Sequence, residues 1–265
     1  MVSELIRKKV AEGDAWYTES QRLSQLGSPG SRWALEWRWK LFGYILDQWL
    51  MGKNRENRLP SPLHVLDAGC GDGINIEVLH NLFSRRNISV EIAGCDYNDI
   101  RLNRASQDCS HRILEVDLRA MPFPHESFDV VLCSHVLEHI HDDVIAMSEL
   151  SRIIKRSGLV LIAVPNEGCL LARFRNHVVQ PSIRQTTDHC QFYTAKSLID
   201  RLAQAGLVPI GSVEHEGIFL PHLGLYSRLR ETRLGRVLIP QATRILPSQA
   251  AGLVAGFRVS SIHGA

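Results

Sequence analysis

No run in this sequence approaches the ~18 consecutive apolar residues that a bilayer-crossing helix needs, so nothing in it reads as a membrane span. The opening residues, Met1-Val-Ser-Glu-Leu-Ile-Arg-Lys-Lys9, lack the apolar core of a secretory signal, and the expected compartment is the cytoplasm. An excess of one charge is also missing. With 30 basic against 28 acidic residues the formal charge is +2, which gives no overall pull toward nucleic acid and makes any basic surface a local one. Cys70, Cys95, Cys109, Cys133, Cys169 and Cys190 form no Cys-x-x-Cys pair, and three of them fall in or beside apolar runs; reduced, buried thiols are expected. Repeats and low-complexity tracts are absent. What remains is a chain of 265 residues, 45% hydrophobic, long enough to bury one generous core. Its alternating strand-like and helical stretches ask for a single α/β domain with additions.

The informative part is concentrated in ten residues. His64-Val-Leu-Asp-Ala-Gly-Cys-Gly-Asp-Gly73 describes a buried strand running into a turn with almost no side-chain bulk. Val65 and Leu66 read as the strand, Gly69, Gly71 and Gly73 as the turn, and Ile74, Val78, Leu79 and Leu82 as the apolar face of a following helix. At a helix N-terminus, free N–H groups favour a ligand with acceptor atoms or negative charge. A dinucleotide fingerprint needs its third glycine at position 74, where Ile74 stands, which leaves a nicotinamide cofactor as the weaker alternative.

Val90 to Asp96 reads as a second buried strand ended by a carboxylate, and in doubly wound folds an acid there accepts hydrogen bonds from ribose hydroxyls. Tyr97 either lies beside the base or caps the sheet edge. Arg112 to Asp117 is a third short strand closed by an acid, ahead of the loop Met121-Pro-Phe-Pro124. Phe128-Asp-Val-Val-Leu-Cys-Ser-His-Val-Leu-Glu-His-Ile140 reads as a fourth strand entering a helix, and Gly158 to Asn166 as a fifth.

In that order these motifs resemble the class I S-adenosylmethionine-dependent methyltransferases, over roughly residues 63 to 208. The resemblance implies a Rossmann-like, doubly wound, mostly parallel seven-stranded sheet of order 3-2-1-4-5-7-6 with strand 7 antiparallel. It implies S-adenosyl-L-methionine as cofactor, cradled by Asp67, Gly69, Cys70, Gly71 and Gly73, with Asp96 on the ribose and Tyr97 by the adenine. Asp117 is then the acceptor for the adenine amino group and Leu118 supplies a backbone N–H to the ring. The backbones of Ser134 and His135 run near the methionine part, with Glu138 and His139 pinning the helix start. Several relatives active on glycans or lipids begin with an aromatic, arginine-rich helix that closes over the cofactor, which implies Arg38 as the residue that meets its carboxylate.

His135-Val-Leu-Glu-His139 also spells the His-x-x-Glu-His signature of one class of zinc peptidases. That signature belongs within a long helix, whereas His135 follows an apolar strand directly, at the mouth of a parallel sheet. Some quinone-pathway O-methyltransferases of this fold hold a divalent cation here, but with a carboxylate where this chain has His135. No metal is expected.

Residues 1–60 are expected to form an N-terminal helical cap and 61–265 the catalytic domain. In the cap, Ser31 to Leu50 reads as a helix whose positions 33, 37, 41, 44, 45 and 49 pack on the sheet. Asp142 is expected to cap a helix running through Ile154 and stopped by Gly158, and Thr194 to cap Ala195 to Ala205. Leu207 to His215 and Gly252 to Ser260 supply the last two strands. Connections in such folds usually run about 2 to 6 residues, so the inserts 166–193 and 216–250 are expected as lids over the substrate. The later insert carries five arginines (228, 230, 233, 236 and 244) against Glu216 and Glu231. Arginines mixed with leucines suit either a peripheral membrane contact or a helix packed by its leucines.

The function expected is methyl transfer, O-directed, to a small-molecule, glycan or lipid-linked acceptor. The alternatives are a nicotinamide oxidoreductase and a cofactor-binding module without turnover. DNA is not expected as substrate, because Ser134-His135 stands where base-flipping amino-methylases carry Asn-Pro-Pro-Tyr or Asp-Pro-Pro-Tyr. An acceptor hydroxyl benefits from a base that titrates near neutrality, and His189 and His139 are the candidates.

Overall fold

The computed structural model describes residues 19–55, 59–108, 111–182, 188–220 and 222–260; Cys109 and Thr187 lie outside them. A short helix α1 (Gln21–Leu26) leads into the long α2 (Pro29–Arg55). The first half of the sheet follows as β1 (Leu63–Ala68), α3 (Ile74–Ser84), β2 (Val90–Asp96), α4 (Asp99–Asp108) and β3 (Arg112–Glu115). The second half is β4 (Phe128–Ser134), α5 (Asp143–Ile153), β5 (Ile154–Pro165), α6 (Leu170–Phe174), α7 (Ala195–Gln204), β6 (Leu207–Pro209), β7 (Glu214–Glu216), α8 (Leu223–Glu231), α9 (Arg233–Ile245) and β8 (Gly252–Val259).

The strand order is β3-β2-β1-β4-β5-β8-β6, with β7 also paired to β8. The first five strands run parallel, and β8 is antiparallel to β5, β6 and β7. This is the expected order with one strand more, because the sixth strand is broken in two. Leu207 to Pro209 pair with Val259 to Phe257, and Glu214 to Glu216 with Val254 to Gly252. Ten residues on that edge thus face eight on β8, and Pro209 and Gly211 stand where the surplus bulges out.

Period-two alternation distributes the central strands between two helix layers. Leu66, Val131, Cys133, Val160, Ile162 and Val164 join Met147 and Leu150 of α5 and Leu198 and Leu202 of α7 on one face. Val65, Val130, Leu132, Leu159, Leu161 and Ala163 join α2 and α3 on the other. The inward stripe of α2 is Leu35, Trp39, Phe42, Ile45, Leu46 and Trp49, rotated from the expected one. Tyr44 is exposed, while Trp33 and Trp37 pack on each other at 5.2 Å. With aromatics on every side of the helix, aromatic spacing alone does not say which face turns in. In α3 the deeply buried residues are Ile74, Ile76, Leu79 and Phe83 rather than Val78 and Leu82.

Thr194 caps α7 in a reciprocal box with Ser197, as expected. Asp142 holds the cap position of α5 without a side-chain cap bond, and α5 ends at Ile153, before Gly158. Ile154 already pairs with Phe128, so strand pairing rather than the glycine ends the helix. Both long inserts fold into short helices. The first carries α6 and a π-type turn at Arg175–Val179; the second carries α8 and α9, with Pro240 inside α9.

Candidate active site

The bend after β1 is built from three glycines with φ of +86° (Gly69), +50° (Gly71) and +79° (Gly73), backbone that side chains rarely adopt. Space forbids side chains as well: a Cβ on Gly69 would lie 2.2 Å from Val136 Cγ2. The amides of Gly69 and Cys70 donate to the Cys95 carbonyl at 2.7 and 2.9 Å. Asp96 Oδ2 accepts from Gly71 N and Oδ1 from Asn98 N, both at 2.9 Å, so one carboxylate ties the bend to the start of α4. Each oxygen keeps a lone pair for a further donor.

Beside the bend lies a cavity of about 670 Å³. Eleven of the residues expected at the site line it: Arg38, Gly69, Cys70, Asp96, Tyr97, Asp117, Leu118, Ser134, His135, His139 and His189. Asp67, Gly71 and Gly73 do not. Asp67 is fully buried beneath the bend, and neither of its oxygens reaches a donor in hydrogen-bonding geometry. Burial above all, with the Asp96 charge added, pushes its pKa up to about 8 against the lowering effect of Asn75. Burial likewise raises Asp96, opposed by its amide bonds and Arg101.

Two expected residues reach the cavity already paired. Asp117 is bonded to Arg119, whose Nη2 donates to Oδ2 at 2.7 Å, and this interaction lowers its pKa. Arg38 donates through Nε to Glu216 Oε1 at 2.8 Å. The same oxygen lies 3.8 Å from His135 Nε2, and His135 Nδ1 lies 3.2 Å from Glu138 Oε1. Burial and Arg38 oppose a charge on His135, yet Glu138 and Glu216 outweigh them and raise its pKa. His135 has φ +56° and its amide donates to Ala163 O at 2.8 Å. It therefore sits on a turn, and the short 3₁₀ helix that follows spans only Leu137–His139. The His-x-x-Glu-His letters are not on a long helix.

A second cluster closes the far wall. His189 Nδ1 is 2.7 Å from Glu167 Oε2, and Glu167 Oε1 pairs with Arg175 at 3.2 Å. The His139 ring stands edge-on to His189, centroids 4.8 Å apart. Burial lowers the pKa of His139, and the His189 charge adds to this against Glu138. Glu138, His139 and His189 offer ligand atoms all within 4.8 Å of one another, close enough to share a cation.

The N-terminal segment completes the enclosure. Gln21 N and Ser20 Oγ donate to Asp72 Oδ2 at 2.8 and 3.1 Å, and Asp72 N donates back to Gln21 Oε1 at 3.1 Å. Gln21, Asn75, Arg101, Arg119, Glu138 and Arg230 line the cavity without having been expected to bind there, and Glu167 stands just behind it. Asn75, Arg101, Arg119 and Glu138 lie within five residues of a motif residue and carried that local signal; Gln21 and Arg230 arrive by long-range packing.

A family model described as a methyltransferase domain matches residues 20–210, well over half the chain. The chain belongs to this methyltransferase family. A ubiquinone biosynthesis O-methyltransferase of Ruegeria sp. (strain TM1040) is 30% identical over 197 residues, 69% of this chain and 76% of that protein. Its counterpart in Brucella anthropi is 30% identical over 211 residues, 75% and 82%. Among solved structures, a methyltransferase in complex with the Haloferax volcanii Trm112 methyltransferase activator shares the fold. It has a TM-score of 0.55 at 20% identity, covering 88% of this chain and 98% of that one.

The methyltransferase uses S-adenosylmethionine, and the nicotinamide and no-turnover alternatives fall with the family match. The residues present fit that cofactor. A side-chain-free bend gives a flat floor, and Asp96 lies buried at the cavity edge with lone pairs left for a further donor. No helix among the described residues of the methyltransferase is long and apolar enough to cross a membrane.

Proposed function

We propose that this methyltransferase acts on a hydroxyl oxygen of a small-molecule acceptor, with His189 taking up the hydroxyl proton. The observation that carries the reading is the 2.7 Å contact between His189 Nδ1 and Glu167 Oε2 at the cavity wall. A carboxylate on Nδ1 selects the tautomer whose Nε2 lone pair can accept a proton, and it stabilises the imidazolium that results. Arg175 holds Glu167 in turn, so the base has a fixed support. When bound, S-adenosylmethionine supplies an activated methyl group on a sulfonium. The chain's own work is to hold the nucleoside with Asp96, Asp117 and Leu118, to hold the acceptor in line, and to exclude water. The names of the two 30%-identical relatives support O-methylation. A cavity of about 670 Å³, shared between cofactor and acceptor, suits a ring-sized acceptor group better than a polymer.

The protein should be incubated with fractionated cell extract and a ¹³C-methyl-labelled cofactor, and the product read by NMR. An O-methyl ether or ester is expected; label on carbon or nitrogen ends the reading. His189→Ala should lower kcat about 100-fold or more with cofactor affinity unchanged by calorimetry. Glu167→Gln should lower kcat less.

A further inference from the structure

Helix α9 is apolar on two sides. Gly235, Ile239 and Thr243 turn inward, where Thr243 Oγ1 donates to Gly217 O at 2.6 Å and fixes the helix to the end of β7. On the outer side Leu234 (65% exposed), Val237 and Leu238 cluster at helical spacing, and beyond Gln241 the apolar face resumes with Ile245 (76%) and Leu246. A surface helix normally turns polar residues outward, and exposed apolar side chains clustered on one face mark a contact surface rather than scattered exposure.

A second apolar row adjoins it. Leu170 (73% exposed), Phe174 and Val178 stand four residues apart on α6 and the turn that extends it. Leu171 N donates to Gln249 Oε1 at 2.9 Å, which fastens α6 to the turn directly after α9. Cations dominate around both rows. Between residues 217 and 250 the sole acid is Glu231, which is engaged by Ser28 Oγ and Gly30 N; between 168 and 182 there is none. Arg233 and Arg244 flank the outer row of α9, exposed and outside every ion pair among the described residues. Leucine-class side chains bordered by arginines match the acyl boundary and the phosphates of an anionic bilayer together.

We propose that α9, with α6 beside it, seats this protein on an anionic lipid surface. The apolar row enters the headgroup boundary and Arg233 and Arg244 meet lipid phosphates. The seat adjoins the cavity: α8, which leads directly into α9, contributes Arg230 to its wall, and the segment following α6 contributes the Arg175 that holds Glu167. An acceptor with a lipophilic tail can therefore present its hydroxyl to the cavity without leaving the bilayer. The inference concerns surface chemistry and does not depend on which atom is methylated.

The test is co-sedimentation of the full chain with vesicles of phosphatidylcholine alone or of phosphatidylcholine with phosphatidylglycerol. Partition is expected to be about tenfold or more higher on the anionic vesicles. It should fall about tenfold or more in Val237→Glu/Leu238→Glu and in Arg233→Glu/Arg244→Glu, with cofactor affinity unchanged by calorimetry as proof of folding. Equal partition on both vesicle types, or anionic binding that survives both double variants, overturns the proposal. So does self-association abolished by Val237→Glu/Leu238→Glu without vesicle binding, which would give the row to a second copy of the chain.

Discussion

Asp67→Asn should flatten the pH dependence of stability. Burial lifts the Asp67 carboxyl from 3.8 to about 8, so between those values the folded chain carries a proton that the unfolded chain has released. Stability contributed by the neutral acid is complete below pH ~4 and is lost as pH rises through about 8, at about 1.4 kcal/mol per pH unit. Over the whole interval this sums to about 6 kcal/mol, an upper bound because the buried pocket can relax around a charge. The amide has nearly the same shape and no charge at any pH. Urea unfolding of both proteins at pH 5, 6 and 7 without cofactor should therefore give stabilities whose pH slopes differ by about 1.4 kcal/mol per pH unit, the wild type falling more steeply. Parallel slopes would show that Asp67 stays ionised in the folded protein, and the account of its burial would be wrong.

Asp96→Ala removes the acceptor of two loop amides along with the carboxylate at the cavity edge; calorimetry should show cofactor affinity reduced about 100-fold or more, and unchanged affinity would refute its role. Asp72→Ala removes the acceptor for Ser20 and Gln21 and should weaken cofactor binding about tenfold by unlatching α1, with the unfolding midpoint barely moved. Exhaustive treatment with EDTA is expected to leave turnover intact, since His189 is held by Glu167 and Glu138 lies beside His135. Loss of turnover restored by Mn²⁺ would instead assign Glu138, His139 and His189 to a cation.

The parallel half of the fold was legible because its determinants are local. A strand, a glycine bend and a helix follow one another within twenty residues, and Asp96 and Asp117 close strands whose apolar runs are unmistakable. The break in the sixth strand is not legible in the sequence, because it depends on how much of that edge β8 can pair. The inward face of α2 is not legible either, because its aromatics encircle the helix. Partners of site residues were the least legible: Arg38 with Glu216 is 178 residues apart and Asp72 with Gln21 is 51, and no spacing rule connects such distances. His189 with Glu167, only 22 apart, was hidden by a loop without periodicity.

The first turn of α2 and the last turn of α8 are stapled together. Glu231 accepts from Ser28 Oγ and Gly30 N, and Arg230 Nη2 donates to Ser31 Oγ at 3.0 Å. Two stretches of chain some two hundred residues apart thus form a single roof over one vestibule. Ser31 and Arg230 both line the cavity, so a crosslink across that staple is expected to slow the exchange of spent donor for fresh more than the chemical step itself.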